Sequence, residues 1–281
     1  MKTMKALATL AALSACLASS ADGPSLSEIT VDLRMDETEY VSGERIRATV
    51  DIKNMSPFAV SCGRPASPDR FYIEVFYASD MRKLDKLSSH PFVAPFRIEM
   101  NQGQTLETHL GDHYYMLESR SYIARPVLIH RNHRYEGRYR AFDVVPGTEM
   151  SKALQLFANH EGLSREFTLL RWPRSGSDHI FLTFRDLGER ERAGHTTDIG
   201  PLMRTTEPVI SILPGGEVLV LHRSGIDSFV RSEFWSMPNL VELRSRQLVM
   251  DPDTAGQTSV QEMYRKSGGV KAAPRPWWKF W

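Results

Sequence analysis

The residues best spaced for chemistry lie near the C-terminus. Asp251, Asp253 and Gly256, with Glu262 at the twelfth position, follow the spacing of a calcium loop. Oxygen ligands at alternate positions and a distal bidentate carboxylate are what a hard cation needs. However, Ala255 stands where a third ligand belongs, Pro252 fills position two, Thr258 replaces an aliphatic residue, and the preceding run reads as a strand. Asp251, Asp253 and Glu262 are therefore an incomplete set, and the expectation is a turn with no metal and no cofactor. Among the histidines, His109 and His113 bracket Asp112, and His130 lies three residues from His133, but neither pair has a third ligand at zinc spacing. His160-Glu161 lacks the second histidine of a zincin. No Gly-x-Ser-x-Gly elbow, Walker loop or dinucleotide fingerprint occurs. Cys62, in Val60-Ser61-Cys62-Gly63, has no peptidase context and reads as a half-buried small residue near a turn.

The other cysteine belongs to an export signal. Lys2 and Lys5 precede an apolar run from Ala6 to Leu13, too short for a bilayer that needs about 20 residues. Residues 1–21 read as a signal peptide with two possible cleavage sites. Leu13-Ser14-Ala15-Cys16 resembles the bacterial lipobox, with cleavage before Cys16 and lipidation of that residue. Ser19-Ser20-Ala21 resembles an ordinary signal-peptidase site, with cleavage after Ala21. Leu17, after the lipid-bearing position, resembles the outer-membrane sorting pattern of enteric lipoproteins. In either case Cys62 has no partner for an intramolecular disulfide.

Composition limits the remainder. With 35 Lys and Arg against 34 Asp and Glu, 25% charged and 41% hydrophobic residues, the 281-residue chain is of ordinary globular type. Loss of Lys2 and Lys5 turns the net charge from +1 to −1. No basic surplus exists for phosphate contacts, so nucleic acid is excluded as a partner.

Elements that could position a site are strands. Ile29, Val31 and Leu33 alternate, as do Ile46, Ala48, Val50 and Ile52 opposite a polar face. Gly43 marks the turn between them. Further strands are expected at Phe71–Tyr77, Phe96–Met100, Thr105–Leu110, Tyr122–His130 and Arg138–Val145. Pro126 should place its strand at an edge or mark a bulge. The run Tyr40-x-x-Gly43-Glu44-x-Ile46-x-x-x-Val50-x-Ile52-x-Asn54 resembles the opening hairpin of bacterial secreted immunoglobulin-like domains, including macroglobulin-type modules. The resemblance implies a β-sandwich over 25–146 and specifies a fold rather than an activity.

Thr148 as a cap, with Ala153, Leu154, Phe157 and Ala158 at helical spacing, predicts a linking helix over 147–162. A second β-rich domain is expected over 163–251. Hairpins should turn at Pro173-Arg174-Ser175-Gly176-Ser177 and Pro214-Gly215-Gly216, and the last four strands should form a meander. The polar loop 188–200 reads as solvated. The fold class is thus all-β: an immunoglobulin-like sandwich, a short helix and a second antiparallel domain.

Over 252–281, Ser259 and Glu262 predict a capped short helix. The chain then ends in Trp277, Trp278, Lys279, Phe280 and Trp281, with five cations and no acid from Arg265 onward. Such a tail suits either a groove on its own chain or a membrane or partner surface. The expected function is an exported, envelope-associated, non-catalytic binding or structural module. It would be periplasmic or anchored to the outer membrane as a lipoprotein, or else secreted, with an envelope protein or glycan as partner. The alternative is a secreted hydrolase or accessory domain acting on glycan or peptide. Cys16→Ser should abolish incorporation of radiolabelled palmitate; label that survives the substitution rules Cys16 out as the lipidated residue.

Overall fold

The structure, a computed structural model, describes residues 28–63, 67, 69–87, 89–157, 162–188 and 192–250. The signal peptide with Cys16, the calcium-loop set Asp251, Asp253 and Glu262, the short C-terminal helix and the tail Trp277, Trp278, Lys279, Phe280 and Trp281 lie outside the described residues. What is described is all-β.

Ten strands precede Gly147: β1 (Ile29–Met35), β2 (Glu39–Val41), β3 (Arg47–Asn54), β4 (Val60–Cys62), β5 (Arg70–Tyr77), β6 (Phe96–Ile98), β7 (Gln102–His109), β8 (Ser121–His130), β9 (His133–Glu136) and β10 (Arg140–Val145). They form sheets in the orders β1-β3-β7 and β2-β10-β8-β5, with β9 beside β8, and a small β4-β6 pair. Alternation in β3 sends Ala48, Val50 and Ile52 inward, where they meet Ile73, Val75, Leu128 and Phe142 in one core. Asn54 ends the alternation wholly buried. Its amide donates to the Phe58 and Ile98 carbonyls and its oxygen accepts from Ser56, so the buried polar group is satisfied and pins the next loop to β6.

Pro126 does not lie at an edge. Its strand β8 has β5 on one side and, on the other, β10 along Ser121–Ala124 and β9 along Val127–His130. Proline falls in the gap between those two partners, where its missing N–H costs no ladder bond. Gly137 closes the gap by donating its N–H to the Pro126 carbonyl at 2.9 Å. A Cβ there would come within 2.5 Å of the proline ring, which is why this position is glycine.

Nine further strands follow: β11 (Thr148–Leu156), β12 (Ser164–Arg174), β13 (Ser177–Leu187), β14 (Arg192–Ala193), β15 (Thr197–Pro201), β16 (Val209–Ile212), β17 (Glu217–Arg223), β18 (Ser228–Met237) and β19 (Leu240–Met250). One sheet runs β11-β12-β13 with β14 and β15 both beside β13, and the other is the meander β16-β17-β18-β19. Phe167, Leu169, Ile180 and Leu182 of the first meet Val218, Val220 and Phe234 of the second in a shared core. The β12-β13 hairpin turns on Ser175 and Gly176, both at positive φ, the geometry that matches strand twist.

Among the described residues of 147–162 the expected linking helix is not formed. Residues Thr148–Leu156 form β11, paired antiparallel to β12 with a bulge between Glu149 and Ser151. The helical spacing of these apolar positions is overridden because β12 would otherwise leave a row of backbone groups unpaired. Pairing wins, although it leaves Leu154 and Leu156 exposed. The one helical turn among the described residues is the 3-10 turn Leu110–Asp112, and no helix there is long and apolar enough to cross a membrane.

A single cation fastens the second pair of sheets. Arg165 is 1% exposed; it pairs with Asp186 and donates to Ser236 Oγ and the Met237 and Pro238 carbonyls, with its guanidinium 4.8 Å from the Phe184 ring. It thereby ties β12 and β13 to the β18-β19 turn on the opposite sheet. Arg165→Ala strands a buried carboxylate and three acceptors, so it should lower unfolding free energy by about 3–5 kcal/mol in urea denaturation.

Candidate functional site

Where the two halves meet, the chain gathers its densest set of charged side chains. Gly43 makes the turn after β2 at φ +81°, and a Cβ there would lie 2.9 Å from Thr196 Oγ1. This close approach lets Thr196 donate its N–H to the Gly43 carbonyl and its hydroxyl to Ser42. Glu44 follows and reaches Arg174, the last residue of β12, through two bonds of 2.7 and 2.8 Å. Bidentate pairing of this kind is both strong and directional. Arg174 also donates to Asp198 at 3.2 Å, lies 3.8 Å from Glu37 and stands over the Phe181 ring. Its guanidinium loses water by burial, yet the Glu44, Asp198 and Glu37 charges outweigh that loss and raise its pKa. Beneath it, Val41, Leu170 and Phe181 form an apolar seam flanked by Val145 and Trp172.

Asp198 extends the network into the second half. It accepts from His179 Nδ1 at 2.9 Å and from the Gly200 N–H at 2.8 Å. Nearby, His222 is wholly buried on β17, and neither ring nitrogen makes a well-formed hydrogen bond. Burial pushes its pKa down to about 4; Arg246 and His179 add to this, while the Pro201 carbonyl and Asp198 oppose it. The ring is therefore neutral at pH 7.

Beside this knot a cleft of about 160 Å³ opens between the halves, lined by Glu44, Arg45, Leu87, Asp112, Tyr115, Met116 and His195 among others. Both of its carboxylates are engaged, Glu44 by Arg174 and Asp112 by Arg45 at 3.3 Å. Tyr115 and Leu87 stand at its mouth, 60% and 59% exposed.

The sequence candidates that fall within the described residues are dispersed. His109 ends β7, whereas His113 follows the 3-10 turn and packs against Phe92 with ring centroids 4.1 Å apart. His130 faces the core, its Nδ1 3.0 Å from Asp69, while exposed His133 lies against the Arg131 carbonyl. Among the described residues no group of three or more His, Cys, Asp and Glu could hold a metal. Cys62 is buried, and burial with the Asp69 charge pushes its thiol up to about 12, so it stays protonated at neutral pH.

A second charged cluster went unread in the sequence. Glu74 on β5 is buried, which alone would raise its pKa, but bonds from Lys83, Arg125 and Arg134 reverse the effect and lower it to about 2. Three cations from three chain segments thus hold one permanent anion on the outer sheet face. A 320 Å³ depression nearby carries Lys83, Lys86 and Tyr72, but Lys83 is held by Glu74 and Lys86 by the His90 carbonyl.

No family model matches the chain, and no curated protein matches it. Among solved structures it is similar to Spo0M, a sporulation control protein from Bacillus subtilis, with a TM-score of 0.29 and 11% identity over 61% of this chain and 90% of that one. A likeness of that strength assigns neither family nor function.

His222 sets a pH dependence whose sign follows from linkage. The unfolded chain takes up this proton near pH 6.5 and the fold resists it until about 4, so the stabilisation is complete above pH 6.5 and lost as pH falls toward 4. The contribution is about 3 kcal/mol. Denaturation midpoints from pH 7 to pH 4 should fall less steeply for His222→Leu than for the wild-type chain; parallel curves refute the assignment.

Proposed function

We propose that the chain is an exported, envelope-associated binding module without catalytic activity, anchored through a lipid on Cys16. We read the first set of sheets as an immunoglobulin-like sandwich of the macroglobulin type, and the partner as another envelope protein. The observation that carries the reading is the junction cleft. Pockets for drug-sized ligands run to about 300–1,000 Å³, so a cleft of about 160 Å³ suits one inserted side chain better than a substrate. Its carboxylates are neutralised by ion pairs, Glu44 by Arg174 across the halves and Asp112 by Arg45 within the first, which favours a rigid surface over acid-base chemistry. Exposed Tyr115 and Leu87 at the mouth are the type of apolar anchor from which protein contacts draw their energy.

Envelope fractionation followed by cross-linking pull-down tests the proposal. Recovery of the chain in the membrane fraction is expected, with a reproducible protein partner whose capture falls at least about tenfold for Tyr115→Arg, the effect of losing roughly 1.4 kcal/mol of binding. Capture unchanged in that variant, or recovery only in the cytosol, overturns it.

A further inference from the structure

β19 is the last described strand, eleven residues long, and it forms the outer edge of the meander. β18 pairs with it on one side, and no described strand pairs with the other. A bulge at Glu233/Phe234 changes its phase, so that Leu243 lies opposite Phe234, Leu248 opposite Val230 and Met250 opposite Ser228. Phe234 belongs to the shared core, which places Leu243, Leu248 and Met250 on the side that looks toward the opposing sheet. Yet Leu248 is 64% and Met250 59% exposed. The two sheets differ in width at this side: opposite an eleven-residue strand, the facing sheet supplies the two residues of β14 and the five of β15. Arg246, in the same row, reaches across to the Asp198 carbonyl of β15, and the uncovered apolar row flanks that contact.

We propose that Trp277–Trp281 of the same chain packs against the Leu243, Leu248 and Met250 row of β19 and completes the core that the short facing strands leave open. The occupant follows from connectivity. The chain leaves β19 at Met250, and 26 residues separate it from Trp277. At about 3.3 Å per extended residue that linker reaches about 85 Å, more than twice the length of β19, so the segment can return along the strand. Tethering holds the segment at an effective concentration in the millimolar range, far above that of a separate copy in solution. The chemistry also fits. Four of the five tail residues are aromatic and the row is aliphatic, while Lys279 can keep its ammonium in water along the open edge. A long unpaired edge strand with an exposed apolar row is otherwise an aggregation site, and native chains cover such edges.

The test uses the full chain with a photoreactive phenylalanine analogue at position 278 and, in parallel, Trp172→Phe with Trp235→Phe, so that all remaining tryptophan fluorescence comes from the tail. Cross-links within one chain to residues 243–250, with a yield independent of protein concentration, are expected. Tail emission should be blue-shifted relative to a free 270–281 peptide. Leu248→Asp and Met250→Asp change exposed side chains and should leave far-ultraviolet dichroism intact, yet cut the cross-link yield about tenfold and return the emission to the peptide value. Three results each overturn the proposal: peptide-like emission in the parent chain, cross-links between chains that rise with concentration, or a blue shift that appears only with phosphatidylglycerol vesicles.

Discussion

The arrangement of the two halves rests on one guanidinium. Arg174 sits where the β12-β13 hairpin turns, so the right-handed twist of that hairpin aims it at the β2 turn. Its fixed fork meets both oxygens of Glu44, and the same cation neutralises Asp198 and approaches Glu37. A lysine could offer charge but not two parallel bonds in one plane. Remove the cation and three carboxylates face one another across an apolar seam, a repulsion that separation of the halves would relieve. The contact therefore sets the mutual position of the halves, and with it the width of the cleft beside them.

A second constraint is backbone economy. Every interior strand must spend its N–H and C=O groups, and the irregularities in the fold are places where that demand was met differently. β8 changes partner halfway along, from β10 to β9, and the residue at the change is Pro126, which has no N–H to spend. β11 is a strand rather than a helix because β12 has an edge that needs covering. β19 is one of the edges where the rule is unmet among the described residues, and the chain that continues beyond it ends in Trp277–Trp281, a segment made mostly of aromatic rings.

Local patterns were legible in the sequence and non-local ones were not. Ile46, Ala48, Val50 and Ile52 declare a half-buried strand because period two repeats within eight residues, and Pro214-Gly215-Gly216 declares a hairpin within three. The stretch from Thr148 failed because Ala153, Leu154 and Phe157 satisfy a helical spacing, while the partner that makes it a strand, β12, is invisible to local reading. The charged clusters were hidden for the same reason. Arg174 and Glu44 lie 130 positions apart, and Arg125 and Glu74 lie 51 apart. The signals that pointed to the junction were indirect: Gly43 in a turn, and an arginine inside a Pro-Arg-Ser-Gly hairpin. The residues singled out for lipid and membrane and the calcium-loop set lie outside the described residues, and the histidines do not converge, so the junction emerges from topology.

The distribution of charge also bears on how the fold is held together. Catalytic acids and bases need pKa values near the working pH, and that requires burial without full compensation. Here compensation is the rule: Glu74 has three cations, Asp186 and Asp69 each have a buried partner, and Glu44 shares its cation with two other acids. Such groups resist motion because moving one strands the others. His222 is buried neutral with no well-formed bond, yet it faces core rather than cleft. Polar side chains engaged in this way hold the strands in place. The apolar groups left in solvent at Tyr115, Leu87 and along β19 are accordingly where contacts with other polypeptide have most to gain.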